Sequence, residues 1–254
     1  MRILYQFPLS HFCEKARWLL DFKQLEYVAH NLVPGVHRAF AQLKTRQNSL
    51  PILKDQQQWI ADSSMIALYL DEKYPEHSFL RAQQDLRDQA LETNQLANEL
   101  GVHVRRWSLS QALAMNDSAL EVMIGESGYL RQFEKYSKPI LKTMMSRSYQ
   151  LSPQDAAASK AQMQSIIEQL NQQLVENHGR YLVSERLGLA DIAVCSMLAP
   201  ILEIETTPWE RDSQVQQSDE FNEYKQQLLA LPLGQYVQRI YMTERRARVD
   251  WRGV

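Results

Sequence analysis

The chain has 254 residues, of which 44% are hydrophobic and 23% charged, and a formal net charge of −2. That length allows one large domain or two, each with ample core, and the balance of charge excludes the basic stripe on which nucleic-acid binders depend. No stretch approaches the about 20 apolar residues needed to span a bilayer, the first residues read as strand and not as a secretion signal, and Cys13 and Cys195 are too few for a disulfide framework, so a cytoplasmic protein without membrane or nucleic-acid partners is expected.

Arg2-Ile3-Leu4-Tyr5-Gln6 reads as a short strand closed by Pro8, and Ala16, Leu19 and Leu20 then recur at helical spacing. Between them stands Ser10-His11-Phe12-Cys13-Glu14-Lys15-Ala16-Arg17, which puts a hydroxyl and a thiol at a helix start. Unpaired N–H groups and the positive end of the helix dipole favour negative charge there and lower a thiol's pKa. A thiolate site is therefore expected.

Residues 25–32 alternate as a strand, Pro34-Gly35 marks a turn, and 36–43 can form a short helix. The strand 50–54 carries Pro51, which cannot donate to a ladder and so belongs at an edge or at a strand start, with a cis bond as one way to accommodate it. After a polar turn at 55–58 and a short strand at 59–61, Ser63 is the expected cap of a helix carrying Ile66, Tyr69, Leu70 and Tyr74 and stopped by Pro75. The first 80 residues thus read β-α-β-α-β-β-α, an α/β domain over 1–80.

Beyond Arg81 helical spacing prevails, so 81–254 is expected to be an all-helical second domain. Residues 85–115 allow one or two helices, and 119–149 another pair broken near Gly125 and Gly128. Ser152-Pro153 is a cap followed by a proline at the first helical position, starting a helix through Ile166, Ile167, Leu170 and Leu174 towards Gly179. Residues 189–202 are apolar enough for a central buried helix, 206–218 are polar and loop-like, and two short helices end the chain.

Four pieces, in order, resemble a soluble glutathione transferase of the serine or cysteine type. Ser10-x-x-Cys13-x-Lys15-x-Arg17 is similar to the start of that family's first helix, and Leu50-Pro51 to its Val-Pro pair with a cis proline. Asp62-Ser63-Ser64-Met65-Ile66 is similar to the Glu-Ser-x-x-Ile opening of the third helix, and Leu189-Ala190-Asp191-Ile192 to the Leu-Ala-Asp segment of the buried helix. The resemblance implies a thioredoxin-like domain followed by a helical bundle, with glutathione as co-substrate, no metal, a homodimeric assembly and a detoxification-type conjugation of a small hydrophobic electrophile.

Residue by residue, the resemblance implies glutathione contacts from Leu50 and Pro51 by main-chain pairing, from Ser63 to the γ-glutamyl carboxylate, and from Asp62 to the ligand's ammonium. His37, Lys44 or Arg46 would neutralise the glycyl carboxylate. Ser10 stands where the catalytic serine or cysteine is kept and would hold the glutathione sulfur as thiolate. Cys13, at the second cysteine of a Cys-x-x-Cys, is the alternative, with thiol-transferase or peroxidase chemistry. Phe12, Arg106 and Trp107 fall in stretches that line the electrophile pocket, although an aromatic in the core and a solvated charge is the plainer account of the last two. A non-catalytic member binding an apolar ligand or a protein is a further alternative. His11 and Cys13 lack nearby partners for a metal site. One departure is Gly188, which replaces the usual Ser/Thr cap, so that the reciprocal capping box is lost and Asp191 is expected to need other donors.

Overall fold

The computed structural model describes residues 1–33, 35–115, 134–210 and 217–254. Four short strands, β1 (Arg2–Gln6), β2 (Val28–Asn31), β3 (Ile52–Asp55) and β4 (Gln58–Ala61), form one sheet in the order β2-β1-β3-β4. β1 and β2 run parallel, joined through α1 (His11–Phe22), while β3 and β4 are antiparallel to their neighbours. With α2 (Val36–Thr45) and α3 (Ser63–Lys73), this is a thioredoxin-like unit.

Alternation along the strands sends Leu4 and Leu53, which face each other in register, into the main core with α1 and α3. Their neighbours Tyr5 and Ile52 point to the other face, against Phe40 and Ala41 of α2 together with Trp59. The Leu50–Pro51 bond is cis, and Pro51 lies just before β3 and outside its ladder. β2 is shorter than the alternation of 25–32 predicts, because the residues before it form a turn off the end of α1.

The C-terminal region is helical. α4 (Gln84–Met115) is one continuous helix where the sequence allowed two, followed among the described residues by α5 (Glu134–Tyr149), α6 (Pro153–Glu176), α7 (Leu189–Leu202), α8 (Asp219–Ala230) and α9 (Pro232–Glu244). The expected breaks at Gly125 and Gly128 lie outside the described residues. α6 starts as expected, with Ser152 Oγ accepting from the Asp155 N–H at 3.1 Å. All 14 residues of α7 are buried, as a helix that is apolar all round requires, and it packs against α1, α4, α8 and α9. The capping box is only half lost. Asp191 still accepts from the Gly188 N–H at 2.8 Å, and it adds the Leu182 N–H at 2.8 Å and the Tyr236 hydroxyl at 2.5 Å.

After α9 the chain returns to the first domain. Arg245 inserts beside α1, and Val254 pairs with the free edge of β2, donating to the Ala29 carbonyl and accepting from the Asn31 N–H, both at 2.8 Å. Gly253 has φ of +62°, and a Cβ there would stand 2.6 Å from the Ala29 carbonyl oxygen, so only glycine fits this approach.

Candidate functional site

Ser10 caps α1: its Oγ accepts from the Cys13 N–H at 3.3 Å. This uses a lone pair and leaves the hydroxyl proton free to donate. Cys13, the other residue expected to carry a thiolate, lies in a different environment. Its thiol is fully buried, its sulfur accepts from the Phe7 N–H at 3.5 Å, and burial pushes its pKa up more strongly than Ser10, Phe7 and Arg17 lower it. Burial of this kind works against the thiolate that chemistry at Cys13 needs.

The remainder of the α1 motif is structural. Lys15 Nζ is buried against Ser64 Oγ at 3.0 Å, Asn94 Oδ1 at 2.5 Å and Asn98 Oδ1 at 3.0 Å, and burial, partly opposed by Asp62, lowers its pKa to about 7. It therefore ties α1 to the first turn of α3 and to α4. Arg17 pairs with Glu14 at 2.8 Å and donates to the side chain of Gln6. Arg245 reaches the other oxygen of Glu14 at 2.9 Å and Asp21 at 2.7 Å.

At α3 the cap is Asp62 and not Ser63, because Asp62 Oδ1 accepts from the N–H groups of Ser64 at 2.8 Å and Met65 at 3.2 Å. Ser63 is thereby released from capping. Its Oγ is buried and has no hydrogen-bond partner among the described residues. Asp62 has φ of 72°, and its N–H donates to the Pro51 carbonyl at 3.2 Å, which joins the two expected glutathione contacts directly.

The candidates for the glycyl carboxylate differ in kind. His37 Nδ1 accepts from the Gly35 N–H at 3.1 Å, and burial, then Arg38, lowers its pKa, so it is a neutral imidazole packed edge-on to Phe7. Lys44 and Arg46 are exposed, with Lys44 Nζ 5.0 Å from the centre of the Trp59 ring.

In the second domain, neighbouring residues of α4 point three ways. Trp107 is buried in the core, stacked on Phe221 at 5.5 Å. Arg106 donates to the Tyr149 carbonyl at 3.1 Å and to Ser159 Oγ at 3.0 Å, away from Phe12. Arg105, which sequence reasoning passed over, lies 5.5 Å from the Phe12 ring and 4.7 Å from the Tyr149 ring. Its signal was Gly101, four residues earlier on the same face. There a Cβ would stand 2.3 Å from Met197 Sδ of α7 and 3.0 Å from Phe12 Cζ, so the glycine makes room for both. From the far side α5 reaches the α2 loop, with Arg38 Nη2 donating to Ser148 Oγ at 2.8 Å. A cleft of about 860 Å³ lined by Met1, Arg2 and Arg248 lies at the other end of β1 and is not part of this site.

His11 carries a pH prediction. Its Nε2 donates to the Gly101 carbonyl at 2.8 Å, and burial, then Arg105, lowers its pKa to about 3. Unfolded, it takes up a proton near pH 6.5. Folded, it does so only near pH 3, so the unfolded state binds more protons in that window and stability falls as pH is lowered through it, by up to about 1.4 kcal/mol per unit. Urea unfolding of wild type and His11→Gln between those values should give a steeper fall of stability with falling pH in the wild type than in the variant.

Residues 4–78 match the sequence family described as "Glutathione S-transferase, N-terminal domain". The N-terminal domain is therefore similar in sequence to that of glutathione S-transferases. Solved structures with the same fold include a glutathione transferase from Phanerochaete chrysosporium (17% identity, TM-score 0.63, covering 94% of this chain and 95% of that one). A second, from Methylobacterium radiotolerans in complex with glutathione sulfonate, has 17% identity and a TM-score of 0.57, with 92% of each chain covered. FzlA from C. crescentus shares the fold too (15% identity, TM-score 0.57, covering 99% and 97%). No curated protein matches the chain in sequence. At these identities the structural likenesses are of fold, and they extend the glutathione S-transferase architecture through the helical region.

Proposed function

We propose that the protein is a glutathione transferase that joins the glutathione thiolate to a hydrophobic electrophile. The observation that carries this reading is a pair of helix starts tied by Lys15: α1, capped by the Ser10 hydroxyl, and α3, with the buried hydroxyl of Ser63, unpartnered among the described residues. Both ends favour negative charge, and glutathione presents a thiolate and a carboxylate. The glutathione sulfonate held by the M. radiotolerans structure supports the same co-substrate.

In this reading the γ-glutamyl carboxylate accepts from the Ser63 hydroxyl and from N–H groups of the first turn of α3. The oxygen of Asp62 not used in capping takes the ammonium. The main chain of Leu50, before Pro51, pairs with the extended tripeptide. Lys44 and Arg46, the charged members of the trio once His37 is neutral, serve the glycyl carboxylate. Ser10 donates to the sulfur and stabilises it as the attacking thiolate. A cytoplasmic homodimer acting in detoxification accords with this chemistry.

Calorimetric titration of glutathione into Ser63→Ala tests it. Losing one hydrogen bond to a charged group should weaken binding by about tenfold or more. Unchanged affinity would sink the reading.

A further inference from the structure

The proposed transferase leaves its second substrate open, and Arg105 bears on that point. Its guanidinium is held between the rings of Phe12, two residues beyond Ser10, and Tyr149 at the end of α5, at 5.5 and 4.7 Å. Those distances are within the range at which a cation is attracted to a ring face. Among the described residues it has neither a carboxylate nor a hydrogen-bond acceptor, unlike Arg2, Arg17, Arg81, Arg106 and Arg245, each of which has at least one. The side chain is half-buried, with Arg106 beside it, and both burial and that neighbour lower its pKa. A desolvated cation with no counter-charge is costly to a fold unless something pairs with it.

We infer that Arg105 is the anchor for an anionic group on the electrophile, so that the second substrate is an arylcarboxylate or a similar flat acid. This rests on the transferase reading for what happens to the ligand, but not for the binding. With two rings beside it and no acceptor among the described residues, the guanidinium keeps its N–H groups to engage a carboxylate bidentately. The same rings, Phe12 and Tyr149, offer an apolar wall for an aromatic body. The positive end of α1 adds to the attraction, since Phe12 lies in its first turn. The anionic group would thereby be fixed beside Ser10, where the glutathione sulfur is proposed to lie.

The test uses trans-cinnamate and cinnamamide, which match in shape and differ in charge, titrated by calorimetry into the full chain with and without saturating S-methylglutathione. Wild type should prefer cinnamate by about tenfold, and the preference should persist with S-methylglutathione bound. Arg105→Gln should abolish it, and Arg105→Lys should retain part of it, since an ammonium keeps the charge without the fork. Equal affinity for the two probes, a preference undiminished in Arg105→Gln, or one erased by S-methylglutathione, which would place the anion in the glutathione site, overturns the proposal. Should Arg105→Gln fail to fold, the wild-type comparison still decides. Failure of glutathione conjugation would remove the transferase reading and leave this binding result standing.

Discussion

Replacing Glu14 by alanine should destabilise the protein by about 3–5 kcal/mol, the cost of removing one partner from a buried ion-pair network. Glu14 is buried and placed between two guanidiniums, Arg17 at 2.8 Å and Arg245 at 2.9 Å. Without it, Arg245 still has Asp21 at 2.7 Å, but the buried Arg17 is left with no carboxylate, only the side chain of Gln6 and the Pro8 carbonyl. Chemical unfolding checks this, and a loss below about 1 kcal/mol, the size expected of a solvated surface pair, would show that water screens the network. The double variant Glu14→Ala, Arg17→Met should be less destabilised than Glu14→Ala alone, because the cation left without a carboxylate is gone. Burial opposes ionisation of Glu14, but Arg245 and Arg17 outweigh it and hold its pKa below the usual carboxylate range. Its contribution is therefore fully present above about pH 4.5 and is lost as pH falls through the lowered folded value.

Ser10→Ala is expected to lower kcat/KM for glutathione conjugation by about 100-fold, as removal of one donor to a developing or bound anion does elsewhere. A thiol of pKa near 8.5 is roughly 3% ionised at pH 7, and lowering it by about two units makes it mostly thiolate. If the Ser10 proton supplies that lowering, the thiolate absorbance of bound glutathione should titrate about two units higher in the variant. Ser10 is also the α1 cap, with its Oγ 3.3 Å from the Cys13 nitrogen, so some stability is lost as well. Ser10→Thr keeps both the cap and the hydroxyl and should restore most of the rate. An unshifted titration in Ser10→Ala would assign thiolate stabilisation to the helix N–H groups alone.

The two predictions concern the same helix. The Lys15 and Arg17 of its motif do not contact a ligand in this arrangement. They hold Ser10 and the first turn of α3 in place, Lys15 through Ser64 and α4, and Arg17 through Glu14, Gln6 and the returning tail. A site built from two helix ends depends on such fixtures, because each end supplies useful N–H groups only while its direction is held.

Local spacing by itself determined most of the secondary structure, since hydrophobic period, capping residues and prolines act within a few residues of one another. The order of strands and helices to residue 80, the proline at the start of β3, the Ser152-Pro153 helix start and the buried character of α7 were all legible for that reason. The pairing of Pro51 with Asp62 was legible as spacing, and became a hydrogen bond in the fold. What only tertiary structure decided was which face of each element meets which neighbour. A helix turns by about 100° per residue, so whether Arg105, Arg106 or Trp107 meets Phe12 depends on how α4 is rotated in the fold, where it packs against α7 and leaves Arg105 on the Phe12 side. Burial was equally invisible: the sequence placed Cys13 at a helix end that favours thiolates, and packing then removed the water a thiolate needs. The return of Arg245 and Val254 across more than 200 residues to α1 and β2 has no local signal at all, because a salt bridge and an edge pairing at that separation exist only once the chain has folded.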